Sequence, residues 1–516
     1  MGVKLEPQLI VAAIIPLAIL GFFVFKQRSK SRLPLPPGPP KLPLLGNLLD
    51  CPLKFQWETF QTWGKKYNSD ILHLSVAGHS IIVLNSLEAV RDLLERRSAI
   101  YSDRPKFTIL NDVMGFSWLM PFMPYGPAWK ERRRLFLRHF HPSNDYLHKD
   151  HELKYSRRLL ENLLAHPEGF MDHIRHCVGS TLHSIAYGGE TESVGNQFIK
   201  IAEEVAECLS DAALISTMVA DVMPSLNPIL PYIIPSVIFK RTALQWKELA
   251  SRFRDDPFWN TQKSMVDGMA QPSFVSKALE NITSSDDNTR HHTIIKDVAS
   301  IIFIGGSSTV NSSLHTFVLA MLCFPEVQTK AQEELDRIVG RARFPDFSDQ
   351  PHLPYLDAVL KEVHRWRPSG PLGIPHFIEK DDEYKGFHIP KCSVVIANAW
   401  AMLHDEQVYA KPDVFNPDRF LKNGYPDLSV RDPSTIAFGF GRRICPGIDI
   451  AHGLQWIVAA SILSTFNIRP SKDHTGCEIQ PTAEYHPSVT FQPKPFKCIF
   501  EPRDKRAEVL IRTGVE

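Results

Sequence analysis

The chain has 516 residues, 43% of them hydrophobic and 22% charged, with a formal net charge of +1. That composition excludes a disordered protein and leaves length for one large core or several domains. The near-neutral balance excludes a strong overall pull toward nucleic acid or anionic lipid, and no nucleic-acid partner is expected.

Leu9 to Phe25, "LIVAAIIPLAILGFFVF", carries no charge. As a helix it would rise roughly 25 Å, just enough to cross a hydrocarbon core of about 30 Å. Residues 1–25 are therefore expected to form a retained transmembrane anchor. A cleaved signal peptide is the rival reading, but the apolar run exceeds a usual signal core and no small-x-small site follows it. Lys26, Arg28, Lys30 and Arg32 come next, against only Lys4 and Glu6 before the run, so the positive-inside rule puts the rest of the chain in the cytosol. Residues 26–45 read as a basic and proline-rich hinge, whose segment "LPLPPGPPKLP" is a stiff extended spacer.

From residue 46 onward no linker or repeat divides the chain. "DILHLSVAGHSIIVLNS" alternates around a glycine-containing turn and predicts a hairpin over Ile71 to Leu84. Phe107 to Gly126 is rich in aromatic residues and methionine, which suits a pocket wall or core. Trp129 and Arg133 lie one helical turn apart. Ile294 to Phe324 is nearly uncharged and stops at Pro325, which predicts a helix of roughly 45 Å. A second membrane span competes there, but "GGSSTV", Gly305 to Val310, would set polar groups against lipid, so a long buried helix is expected. Glu362 and Arg365 share a helix face three residues apart.

The 8 cysteines are scattered with no CxxC pair, which points to a reducing compartment and mostly bland buried thiols. Cys445 differs, because it sits inside "FGFGRRICPG". A thiolate is a strong soft ligand when its charge is stabilised. Pro446 suits the first position of a helix, which would place Cys445 at a helix N-terminus where the dipole favours an anion. Gly439 and Gly441 would let the loop approach a flat ligand, and Arg443 could pair with a carboxylate. Zinc lacks neighbouring ligands here.

Phe438, Gly441, Arg443, Cys445 and Gly447 reproduce F-x-x-G-x-R-x-C-x-G, which resembles the haem-thiolate signature of the cytochrome P450 family. Three more elements follow the family's order: the E-x-x-R pair Glu362 and Arg365, Arg419 in "FNPDRF", and the W-x-x-x-R pair Trp129 and Arg133. The resemblance covers the body and the anchor, and looks most like microsomal fungal enzymes of secondary metabolism. It implies the cytochrome P450 fold, mainly α with a smaller β region, preceded by an N-terminal transmembrane helix, with residues 46–516 as the haem-binding catalytic domain.

The cofactor it implies is haem b, with the iron bound to Cys445. Phe438, Gly441, Arg443 and Gly447 would shape that site, while Trp129, Arg133 and His376, in "GIPHF", would meet haem propionates. Glu362, Arg365 and Arg419 would lock the scaffold. The activity implied is monooxygenation, with O2 and electrons from NADPH through a cytochrome P450 reductase at the endoplasmic reticulum membrane. Lys130, Arg132, Arg134, Arg138 and Arg442 offer charge to steer an acidic reductase.

One feature departs from the family pattern. The helix usually carries A/G-G-x-D/E-T-T, whereas this chain places Ser308 where the acid stands and Val310 where the second threonine stands. Gly306 keeps room for oxygen, and Thr309 keeps the hydroxyl. Ser308 could relay protons through water but could not be their source. An isomerase or dehydratase working at the ferric haem, or a non-enzymatic haem sensor, are the other readings. The substrate expected is a hydrophobic small molecule, with terpenoid scaffolds favoured by family habit. Phe107–Gly126, Gly370–Ile374 and Glu484–Phe491 are expected to wall its pocket.

Overall fold

The computed structural model describes residues 33–514, apart from 44, 77, 142–147, 190–197, 203, 206–208, 210–235 and 283–287. The expected anchor and the basic stretch after it lie outside the described residues. The proline-rich stretch is docked on the body through its backbone carbonyls. Pro37 accepts the His73 N–H at 3.0 Å, and Pro34 accepts that of His388 at 2.8 Å. Asn47 Nδ2 donates to the carbonyls of Pro39 and Pro40. Proline carbonyls still accept hydrogen bonds although proline cannot donate them, so this extended segment packs as an edge.

The expected hairpin is present. Strand β1 (Ile71–Val76) pairs antiparallel with β2 (His79–Leu84) in the register Ile71 to Leu84. Later residues complete the sheet. β2 pairs in parallel with a strand at Ser393–Ala397, and that strand pairs antiparallel with His376–Ile378. A two-stranded sheet, Phe466–Pro470 with Cys498–Pro502, stands apart.

Helices make up most of the rest. Those that position the site are α1 (Pro127–His139), α2 (Phe170–Tyr187), α3 (Ser236–Val266), α4 (Asn288–Cys323), α5 (Pro354–Trp366) and α6 (Ile448–Thr465). Proline occupies the first turn of α1 and α5, where its missing N–H costs nothing. α4 extends the expected helix at its N-terminal end and stops before Phe324 and Pro325. It is long and apolar enough to cross a membrane, but most of its apolar window is buried inside the protein against α2, α1 and α6. It is the central helix of the core.

α5 carries the E-x-x-R pair, which is fully buried. Arg365 donates Nε and Nη2 to the two oxygens of Glu362 at 2.7 and 2.9 Å. Arg419 Nε adds a contact at 3.2 Å and the Asn416 N–H another at 2.8 Å. Arg365 also donates to the carbonyls of Leu403 and Val414. Such a charge cluster is tolerable inside a protein only when its polar atoms are satisfied, and losing one member would cost about 3–5 kcal/mol. The cluster ties α5 to the segment that leads into the cysteine loop.

Candidate functional site

α4, the loop after α5, the cysteine loop and the start of α6 enclose a cavity of about 340 Å³. Cys445 borders it. The Cys445 N–H donates to the Phe438 carbonyl at 2.8 Å, which closes the loop around the thiol. The residue lies deep in the protein, yet much of its surface is free because it faces the cavity. Burial pushes the thiol up from its ordinary value, while the Gly447 N–H and Arg133 pull the other way. A neutral thiol is therefore favoured until a metal cation takes the proton's place. α6 begins at Ile448 with Gly447 as its N-cap, so Pro446 precedes the cap instead of opening the helix as expected, and Cys445 stands two residues before the cap.

The motif glycines divide into different roles. Gly439 has φ +79 and lines the cavity. Gly441 does not line it: its φ is +55, and a Cβ there would stand 2.2 Å from the Leu94 carbonyl. Its close approach is to that backbone, not to a flat ligand as expected. Phe438 lines the cavity and packs edge-on against His452 and His364. Gly447 also lines it, with no crowding at its Cα.

One rim of the cavity is cationic. Trp129, Arg133, His376 and Arg443 all line it. The Arg443 guanidinium lies over the Trp129 ring at 4.4 Å, and that of Arg133 lies 5.5 Å from the same ring. Arg443 donates Nε and Nη2 to the carbonyls of Ser102 and Met123, and its Nη1 is buried with no partner. Sequence reasoning missed Arg104, which lines the same rim. It is buried and donates to the carbonyls of Pro121, Ile374 and Pro375. Burial and the neighbouring Arg443 hold its pKa well below the ordinary arginine value, and burial with Arg104 does the same to His376.

No carboxylate lines the cavity among the described residues. Asp103 offsets part of the charge of Arg104 and Arg443 but does not line the cavity, so burying these cations together stays costly and the rim suits a ligand that brings negative charge. A soft metal ligand on one wall, apolar walls elsewhere and a cationic rim with no carboxylate on the described wall fit a flat iron macrocycle carrying carboxylates. Haem is such a group.

On the α4 side, Gly305, Gly306 and Thr309 reach the cavity. Thr309 Oγ1 donates to the Gly305 carbonyl at 3.0 Å. Its lone pairs remain to accept a bond from a group in the cavity. A Cβ at Gly306 would meet the methyl end of the Leu182 side chain at 2.9 Å, so Leu182 would have to shift to admit one, whereas a Cβ at Gly305 would make ordinary contact with Ile301 at 3.8 Å. Ser308 is not on the cavity wall, and its carbonyl accepts from Gln492 Nε2 at 3.3 Å.

The expected pocket walls are only partly present. Gly370–Ile374 supplies four lining residues, and Phe107–Gly126 supplies Met120 and Pro121. Phe116 and Met114 are buried in the helical core instead. Tyr485 and Phe491 pack with Trp57 and Trp400 in a separate aromatic cluster and supply no lining. Aromatic content alone does not separate core from pocket.

Outside the cavity, Lys130, Arg134 and Arg138 border a basic concavity on α1. Arg442 reaches the Tyr125 hydroxyl nearby, at 2.8 Å. Arg132, expected to share that face, is turned inward and pairs with buried Asp297 at 2.7 Å.

The model of the cytochrome P450 family matches residues 36–500. The chain is 44% identical over 494 residues to the cytochrome P450 monooxygenase ple1 of Rhodocybe pseudopiperita, covering 96% of this chain and 94% of that protein. It is 42% identical over 492 residues to cytochrome P450 monooxygenase 98 of Postia placenta, covering 95% and 94%. It is 38% identical over 480 residues to the tryptamine 4-monooxygenase of Psilocybe cyanescens, covering 92% and 94%.

Proposed function

The chain belongs to the cytochrome P450 family, and from that premise we propose that it hydroxylates a neutral, hydrophobic secondary-metabolite scaffold, terpenoid in class. As a family member it is an oxidoreductase that incorporates molecular oxygen and uses haem held through a cysteine thiolate. When bound, haem supplies the cleavage of O2, which the thiolate's electron donation favours. One oxygen atom enters a C–H bond and the other leaves as water, for two electrons and two protons.

The observation that carries the substrate reading is the acid-free lining. An amine substrate enters as a cation and needs a buried carboxylate to replace its water, whereas a neutral polycycle needs only apolar walls. The described lining sets the apolar Ile301, Ile302, Val310, Leu372 and Ile374 beside the hydroxyls of Thr309, Ser313 and Ser369, with no acid. That favours a neutral scaffold over the amine named for the Psilocybe relative.

The residues take the following roles on this reading. Cys445 is the metal ligand, and Phe438 and Gly447 shape its loop. Gly441 holds that loop against Leu94. Arg443, Arg133, Arg104, His376 and Trp129 receive the haem carboxylates. Thr309 accepts and returns a hydrogen bond at the oxygen site, Gly306 lets α4 pack closely there, and Ser308 passes protons to Thr309 through water.

Electrons come from NADPH through a separate cytochrome P450 reductase. Lys130, Arg134 and Arg138 suit an acidic partner, since complementary charge raises encounter rates. Residues 1–25 anchor the protein in the endoplasmic reticulum membrane by one pass, with the catalytic body in the cytosol. The exposed Leu35, Leu42 and Leu45 of the hinge, with Leu49 and Leu53 just after it, suit a surface that meets lipid.

The test is to co-express the full chain with a fungal reductase, offer terpenoid and indole panels under heavy-isotope oxygen, and record product masses. One labelled oxygen in a terpenoid product is expected. Labelled indole amines would overturn the substrate class, and an unlabelled isomer would overturn monooxygenation.

A further inference from the structure

Two serine hydroxyls meet at one corner of the cavity. Ser313, one turn beyond Thr309 on α4, places Oγ 2.9 Å from that of Ser369 in the loop after α5. Both serines line the cavity. Each oxygen also lies close to the Thr309 carbonyl, at 3.2 Å from Ser313 and 3.1 Å from Ser369. The loop is fixed from behind, where the Phe491 N–H donates to the Ser369 carbonyl at 2.8 Å. A Cβ at Gly370 or Gly373 would meet nothing within 4 Å, so open room lies beside Ser369.

Counting donors and acceptors decides what this corner can bind. Inside the helix the Thr309 carbonyl already accepts the Ser313 N–H, which leaves one lone pair for one hydroxyl. One serine donates to that lone pair, and the other donates to its partner's oxygen. Both hydrogens are then used, whereas most of the lone pairs on the two oxygens are not. The pair therefore turns acceptors, and no donor, toward the cavity. A ligand hydroxyl can donate to it directly. A ketone could bind only by drawing a hydrogen away from an internal bond.

We propose that Ser313 and Ser369 form a hydroxyl-accepting subsite that orients a scaffold already bearing an alcohol. The inference rests on the neutral-scaffold reading above and narrows it. The supplying reaction is then one that leaves a hydroxyl, either a cyclisation quenched by water or an earlier oxygenation.

The test uses the full-length haem-loaded protein and a panel of drimane and cedrane hydrocarbons, each with its alcohol and its ketone. Binding is read from the ligand-induced shift of the haem absorption band. In the wild type the alcohols should bind about 5–10-fold tighter than either the hydrocarbons or the ketones, the value of one neutral hydrogen bond. In the Ser313→Ala, Ser369→Ala double variant that ratio should collapse, and Ser313→Thr should retain it. Equal binding of alcohols and hydrocarbons to the wild type overturns the subsite alone, without recourse to any variant. A preference that survives the double variant also overturns it. No response to any panel member overturns the neutral-scaffold reading and this inference together.

Discussion

Arg443 is held 4.4 Å over the ring of Trp129, with two of its nitrogens bound to backbone carbonyls and Nη1 buried without a partner. The side chain is thus fixed in place before any ligand arrives, and the unpaired nitrogen is the group a carboxylate would meet. Charge-assisted bonds of this kind contribute about 1.5–3 kcal/mol. Arg443→Met should therefore weaken haem retention by about 10–100-fold. The measure is haem content per folded protein after gel filtration, and full occupancy in the variant would show that the propionate role lies elsewhere on the rim.

Two glycines of one motif should respond oppositely to the same substitution. At Gly441 a methyl group would sit 2.2 Å from the Leu94 carbonyl, in a backbone with φ +55 that disfavours side chains. At Gly447 the nearest atoms would be 3.9 and 4.0 Å away, with φ −96. Gly441→Ala should cost several kcal/mol and abolish the haem-loaded form, whereas Gly447→Ala should stay within about 1 kcal/mol of wild type. Thermal midpoints and the carbon monoxide difference spectrum compare them, and equal tolerance would refute the packing argument.

The features legible in the sequence are those carried by short spacings. The Ile71–Leu84 hairpin, the central helix and the cysteine loop each depend on residues within one element, and all three are in the structure. The E-x-x-R pair was legible for the same reason, although its third partner, Arg419, needed the family pattern. Features made by long-range contact were not legible. Arg104 is bound to carbonyls some 270 positions away, and Ser313 meets Ser369 across 56. The β2 strand gains its parallel neighbour from residues 393–397, a pairing that leaves no periodicity in either segment. Arg132 shows the limit in the other direction. A run of basic residues on α1 looks uniform in sequence, but only the fold reveals that one member turns inward to Asp297.

Acid should unfold the protein partly through buried neutral histidines. His183 on α2 packs between the rings of Phe198 and Tyr187, its Nδ1 has no partner, and burial lowers its pKa to about 4. In the unfolded chain the same group titrates near 6.5. Between those values the unfolded state binds the extra proton, so this contribution is fully present above about 6.5 and is lost as pH falls toward 4. His183→Phe removes that proton and should flatten the loss by up to about 1.4 kcal/mol per pH unit. Denaturant midpoints of wild type and variant across this pH range supply the comparison, and parallel curves would mean that His183 is protonated in the fold.

The position of Ser308 next to Thr309 leaves proton delivery to a hydroxyl where a carboxyl is usual in the family. Thr309 Oγ1 is engaged with the Gly305 carbonyl, so it can pass a proton onward only if another donor replaces that proton. Ser308 lies off the cavity wall, with its own carbonyl held by Gln492. A serine at ordinary acidity can hand on a proton from water but cannot generate one, so delivery depends on that water. Electrons that arrive without protons are lost to reduced oxygen species. Ser308→Asp should therefore raise the fraction of NADPH oxidised that appears as product severalfold, with substrate affinity little changed. The measurement is NADPH consumption against product and peroxide in the reconstituted system. Unchanged or poorer coupling in the variant would remove the relay from Ser308 and leave Thr309 to draw its protons from the cavity side.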